Sequence, residues 1–294
     1  NRTQSNPYRL YTTADNDTDK NYYECFVSTP HLNNEYILSR SEWQTREIEL
    51  FLAPCGFSGS VNSTGRTNPT QNLVDSYETK NGLPIDKDPS YDPQNPYANR
   101  DPRLEQTILH HGSIWGDAKQ DEEREVDVTY GSGKDYHELH GGTLTGYYTK
   151  KFLNNMSFKS PTTYTHACPI FRYAEVLLGY VEAMNEMEGS YTDEDGQVTV
   201  TRDVDQMVKY FNQIRYRAGQ PGITTADAAD QSRMRELIKH ERLIEFAFES
   251  HRYWDLRRWK DAYDAYNKPI RGLDVSARES QREQFYTERI WNTE

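Results

Sequence analysis

From about residue 164 onward the apolar positions recur with a helical period. Tyr173, Val176, Leu177, Tyr180, Val181 and Met184 are spaced 0, 3, 4, 7, 8 and 11, which sets all of them on one face of a helix. Val204, Met207, Val208, Phe211, Ile214 and Ala218 repeat the pattern, and Gly219 followed by Pro221 ends it. Between the two lies a polar turn region, Gly189 to Arg202, so the pair predicts a helix hairpin. A third helix is expected after the capping residues of 227–232, carrying Met234, Leu237, Ile238, Leu243, Ile244, Phe246, Ala247 and Phe248. Its later part is apolar on more than one face, which predicts burial. Arg235, Glu236, Glu241, Arg242, Glu245 and Glu249 are interspersed there, and pairing of opposite charges one turn apart is the expectation. Tyr253 to Tyr263 forms a short fourth segment in which Trp254 and Trp259 sit among arginines, an arrangement expected to pack as core.

Before residue 164 the pattern breaks up. Short strand-like or helical pieces, Glu35 to Arg40, Arg46 to Leu52 and Gly146 to Phe152, alternate with turn-rich stretches such as Gly56 to Thr70 and Asp86 to Pro102. The expectation is a mainly α protein: helix hairpins plus a large irregular, loop-rich region with a few short strands. A division into 1–163 and 164–294 follows, read as one compact unit rather than two independent domains.

Composition narrows the chemistry. The 294 residues carry 46 acidic and 34 basic side chains, a net charge of −12, which disfavours a nucleic-acid partner. No stretch approaches the roughly 20 apolar residues of a membrane span. Cys25, Cys55 and Cys168 form no CxxC pair; a Cys25 to Cys55 bridge and free thiols both remain open. There are 22 Tyr against 10 Phe, a bias that suits polar ligands such as sugars as well as half-buried packing.

Several blocks resemble the SusD/RagB family. They are Arg172-Tyr173-Ala174-Glu175-Val176-Leu177-Leu178, Phe211-Asn212-Gln213-Ile214-Arg215 with Arg217-Ala218-Gly219, and Glu241 to Glu249 running into His251 to Trp259. Upstream, Asn68-Pro69-Thr70-Gln71, Leu73-Val74-Asp75, Lys80-Asn81-Gly82 and Asn99 to Leu104 occur in the same order as in that family. The resemblance implies a mostly helical fold of tetratricopeptide-like hairpins. It further implies a lipid-anchored outer-membrane protein of Bacteroidetes that captures oligosaccharides without cleaving them and sits as a lid on a TonB-dependent, SusC-like transporter. Family members are usually longer, with a lipidated cysteine and helical N-terminal portion, and a Pro-Ile-Pro segment commonly follows the place where this chain has Trp291-Asn292-Thr293-Glu294. A truncated form is therefore expected. A peptide-binding protein or a mainly structural lid is the alternative function, and a glycoside hydrolase the remote one.

Sugar recognition calls for exposed rings that meet the C–H face of a pyranose and fixed donors for its hydroxyl rim. The segment Ser41 to Thr67 offers Trp43, Arg46, Phe57 and Arg66, with Tyr22, Tyr23, Tyr77 and Trp115 as weaker candidates. Asp101-Pro102-Arg103 reads instead as a proline-locked turn with an arginine free to pair a carboxylate. Asp15-Asn16-Asp17-Thr18-Asp19 has a calcium-loop look, but Lys20 and Phe26 replace the glycine and glutamate an EF-hand needs, so a solvated acidic turn is expected over an irregular calcium site. His110-His111 and His137 with His140 lack supporting ligands for zinc. Gly56-Phe57-Ser58-Gly59-Ser60 departs from a nucleophile elbow at its last glycine. No cofactor and no catalytic residue is expected.

Overall fold

The computed structural model describes residues 7–40, 43–131, 133–136 and 142–291. Among the described residues the first half holds the short helices α1 (Asn21–Val27), α2 (Glu47–Leu52), α3 (Gln71–Ser76) and α4 (Pro102–Thr107). They are set among two- to four-residue strands. Of these, β1 (Tyr36–Ser39) pairs antiparallel with β8 (Pro169–Arg172), and β2 (Trp43–Thr45) with β7 (Tyr164–His166). Both ladders cross the sequence boundary near residue 164 and stitch the irregular half to the helices that follow.

Those helices are α5 (Tyr173–Asn185), α6 (Val204–Arg217), α7 (Thr225–Ala229), α8 (Gln231–Glu245), α9 (His251–Arg258), α10 (Ala262–Tyr266) and α11 (Arg282–Phe285). The mainly α expectation holds, and the long helices fall where the periodicity puts them. Asp203 accepts from the Gln206 amide to start α6, and Asp230 accepts from Ser232 and Arg233 to start α8. Gly219, with φ of 73°, turns the chain off the end of α6; a Cβ there would press on Thr18 at 3.0 Å. The Gly189 to Arg202 connection is more ordered than a polar turn. Ser190–Thr192 and Thr199–Thr201 pair as a β-hairpin, with alternating Thr, Tyr and Val closed by the Asp193–Gly196 turn.

One apolar cluster joins α5, α6 and α8 through Leu177, Leu178, Val181, Met207, Phe211, Ile214, Met234 and Ile238. A second fills the irregular half around Val74, Leu104, Ile108, Tyr147, Tyr148 and Phe158. Cys55 belongs to this second cluster and Cys25 to a smaller third one with Tyr22, Phe26 and Tyr36; both are free, buried thiols, so the bridge left open by the sequence does not form.

Between the halves lies a buried network of charge. Glu241, Glu245 and Glu249 recur every fourth residue from the end of α8, and all are buried. Like charges at that spacing cannot neutralise one another, so the expectation of turn-to-turn pairing fails for them. Their partners come from distant chain. Arg103 reaches Glu241 at 2.5 Å and Glu245 at 3.1 Å, while also pairing with Asp101 at 2.8 Å. Arg172 meets Glu35 at 2.5 Å, Glu245 at 2.7 Å and Glu249 at 2.8 Å. Arg215 bridges Glu78 and Glu241, Arg217 bridges Glu35 and Glu245, and Lys151 caps Glu249 at 2.7 Å. The Asp101-Pro102-Arg103 step is thus a structural turn whose arginine pairs carboxylates, as its sequence suggests. Burial would raise the Glu245 carboxyl, but Arg217, Arg172 and Arg103 outweigh it and hold the group well below the usual carboxylate range. Burial pushes the Lys151 amine down to about 8, despite Glu249.

Candidate functional site

The side chains singled out for sugar contact separate into two groups. Tyr22 and Tyr77 are fully buried, and Phe57 and Trp115 are 3% and 4% exposed. None of these rings has a face to offer a ligand. Tyr22 belongs to the charge network, donating its hydroxyl to the Glu245 carbonyl at 2.5 Å and receiving Lys151 at 2.7 Å. Tyr23 is tied down as well, its hydroxyl on the Leu153 carbonyl at 2.5 Å. Phe57 corrects the expectation that a glycine-rich loop leaves its ring outside. Gly56 and Gly59 let the loop backbone press against Lys134 and Phe158, which draws the Phe57 ring inward onto Phe158 with the Arg124 guanidinium 4.0 Å away.

Trp43, Arg46 and Arg66, by contrast, gather around α2. Ser41, where the candidate segment begins, lies outside the described residues, as do His137 and His140. Trp43 opposes His166 in the β2–β7 pair, with their rings 5.9 Å apart. Arg46 is the exposed N-cap of α2. On the inner side of the helix, fully buried Glu49 accepts from the Asn154 amide at 3.0 Å and lies 3.2 Å from His166 Nε2. That anchor fixes which way α2 faces, and Phe51 is turned outward, 38% exposed. The Arg66 amide donates to the Phe51 carbonyl at 2.7 Å, and the Arg66 guanidinium lies 4.2 Å from the centre of the Phe51 ring.

Phe51 is the residue sequence reasoning missed. Its outward aim follows only from the structure, since with α2 buried through Glu49 a residue two places on projects away from the protein. A matching unit precedes the helix, on β2, where the Arg40 guanidinium lies 4.2 Å from the half-buried Trp43 ring. Each unit couples an apolar plane to a fork of N–H donors, and Arg46 adds another fork between them. Such an arrangement can hold a flat apolar face and the polar groups at its rim. It brings no nucleophile and base together.

Asp15 and Asp17 are occupied locally: Asp15 accepts from the Thr13 hydroxyl at 2.6 Å, and Asp17 pairs with Lys20 at 2.7 Å. His110 does have an acidic partner the sequence spacing did not show. Its Nε2 lies 2.6 Å from Glu105 while Tyr97 stacks on the ring at 3.5 Å. Among the described residues, no group of three or more His, Cys, Asp or Glu is placed to hold a metal ion.

Helix hairpins joined to an irregular, loop-rich half with short strands define a mainly α fold of the tetratricopeptide-like class. The chain matches the SusD family over residues 1–292 and belongs to it. A SusD-like protein from Bacteroides fragilis superposes with a TM-score of 0.69 at 25% identity, over 97% of this chain and 53% of its own. A SusD-like carbohydrate binding protein from the same species gives 0.62 at 30% identity, over 88% of this chain and 48% of its own. SusD-like protein P2 of Formosa agariphila is 33% identical over 94 residues, 30% of this chain and 16% of that protein. The chain therefore spans about half the length of these solved relatives and a smaller share of the Formosa protein.

Proposed function

We propose that this protein captures oligosaccharides at the cell surface and passes them to a TonB-dependent, SusC-like outer-membrane transporter. It would bind its glycan without cleaving it, need no cofactor, and be held at the outer membrane by a lipid anchor. The observation that carries the reading is the pair of aromatic–guanidinium units, Arg40 with Trp43 on β2 and Arg66 with Phe51 on α2. Membership of the SusD family supports it, as does likeness to a relative described as carbohydrate binding. A pyranose offers a C–H face to the ring and hydroxyls to the guanidinium, and the two demands are met by one unit.

Titration calorimetry against a panel of plant, host and microbial oligosaccharides tests the reading. A binding glycan should be weakened by about 1–3 kcal/mol in Trp43→Ala and in Phe51→Ala, the range for an aromatic anchor, with the melting temperature little changed. A folded chain silent across the panel, or one that releases shortened product on long incubation, would reject glycan capture.

A further inference from the structure

Arg40, Arg46 and Arg66 are all exposed, and among the described residues none of them forms an ion pair. Elsewhere the excess of acidic over basic side chains, 46 to 34, neutralises many of the arginines. Arg103, Arg172, Arg215 and Arg217 each take two or more carboxylates in the interior, and at the surface Arg235 pairs with Glu186 at 2.6 Å and Arg258 with Asp255 at 2.9 Å. Around α2 the acids do not serve this purpose. Glu49 is buried and faces Asn154 and His166, while Glu42 lies outside the described residues. That leaves Glu47 as the one exposed carboxylate of 43–52 against three free guanidiniums.

These arginines stand on backbone that is already held. The Arg40 amide donates to the Cys168 carbonyl at 2.9 Å, which extends the β1–β8 ladder by one residue. The Arg46 carbonyl accepts from the Leu50 amide at 3.1 Å, and the Thr64 amide donates to the Leu50 carbonyl at 2.9 Å, so that 64–66 is tied to the end of the same helix. Gly65, with φ of 54°, lets that strand lie against the Tyr148 ring, where any Cβ would collide. A guanidinium over a ring uses its flat face there and keeps its N–H edge for a second partner. Two parallel N–H groups match two oxygens of a carboxylate or a sulfate, and an oxyanion also cancels charge that a neutral hydroxyl would leave standing. The chain's net charge of −12 does not oppose this, because exposed charges more than about 8 Å away are largely screened at physiological ionic strength.

We infer that the glycan taken at this surface is anionic: an oligosaccharide bearing uronic-acid carboxylates or sulfate esters, with Trp43 and Phe51 on its C–H faces and Arg40, Arg46 and Arg66 on its oxyanions. The inference rests on the reading of the protein as a glycan binder and narrows the class of glycan.

Titration calorimetry with charge-matched pairs tests it, using oligogalacturonate against its methyl ester and a sulfated galactan oligosaccharide against its desulfated form, alongside the wider panel of neutral glycans. A charged member should bind about tenfold or more tightly than its neutral partner, the galacturonate if the oxyanion is a carboxylate and the galactan if it is a sulfate ester. Raising NaCl from about 50 mM to about 500 mM should weaken the charged member by about tenfold and the neutral one by less than about twofold. Arg40→Gln, Arg46→Gln and Arg66→Gln should each weaken the charged glycan by about fivefold, with Arg66→Lys restoring only part of the loss. Arg233→Gln, which removes the same charge from an exposed pair with Asp227 on α8, should leave binding unchanged. Equal affinity within both pairs, salt-indifferent binding, or a binder found only among the neutral glycans would overturn the anionic class and leave glycan capture standing. Silence across charged and neutral glycans alike would reject both. An oligoglutamate bound as tightly as the charged glycan would make the arginines a general anion patch and overturn the inference equally.

Discussion

Phe51 and Phe57 lie in one short stretch of chain and meet opposite environments, 38% and 3% exposed. Their alanine variants should therefore separate two effects. Phe57→Ala empties a core position and is expected to cost about 3–5 kcal/mol, visible as a large fall in melting temperature. Phe51→Ala should leave stability nearly intact and weaken ligand instead. The sequence named Phe57 and passed over Phe51, because a glycine-rich context says that a loop is pliable but not which way it folds. Glu245 gives the sharper case. Glu245→Gln keeps the shape but leaves Arg103, Arg172 and Arg217 short of a counter-charge, and denaturant titration should show a loss of about 3–5 kcal/mol. Acidic residues at every fourth position, Glu241, Glu245 and Glu249, in a stretch whose later part is apolar on more than one face were a readable sign that cations must arrive from elsewhere. Which cations was not readable, since Arg103, Arg172 and Arg217 are brought there only by the tertiary fold.

At the level of elements, α5, α6 and α8 were legible because each buries a continuous apolar face, and α6 and α8 also begin at a capping aspartate. Removing one cap should show as much: Asp203→Ala deprives the Gln206 amide of its acceptor and should cost about 1 kcal/mol, measured as a shifted urea midpoint with unchanged slope. The two- to four-residue strands were far less legible. β1 and β2 find their partners at β8 and β7, more than a hundred residues on, and so short a run carries too little alternation to announce a pairing. The pairings still decide the candidate site, for β2 sets Trp43 against His166, and His166 adjoins the Glu49 that aims α2. Exposed Trp254 shows the converse error, where a helical pattern was read as core without regard to what covers it.

Across the molecule, the buried charges make stability depend on pH in two windows. Burial by itself opposes ionisation of Glu241, Glu245 and Glu249, but their arginine and lysine neighbours prevail and hold all of them below the ordinary carboxylate value of 4.5. The unfolded chain therefore takes up protons first. The stability these carboxylates contribute should be fully present above about pH 5 and fall steadily on further acidification, as followed by denaturant midpoints at successive pH values. Lys151 acts at the other end. The unfolded chain keeps its proton to 10.5, the folded one only to about 8, so this residue should make stability rise between those values, and Lys151→Met should remove that rise.

The charge network has a kinetic meaning as well. Its members lie as far apart in sequence as Glu35 and Glu249, and each is costly to bury before the others arrive. A molecule in which one apolar cluster has condensed and the other has not would strand unpaired ions in a low-dielectric interior, so such half-built forms stand high in free energy. The network thus works as a coincidence requirement: the irregular half and the helical half must set together, and heating should release them in a single transition.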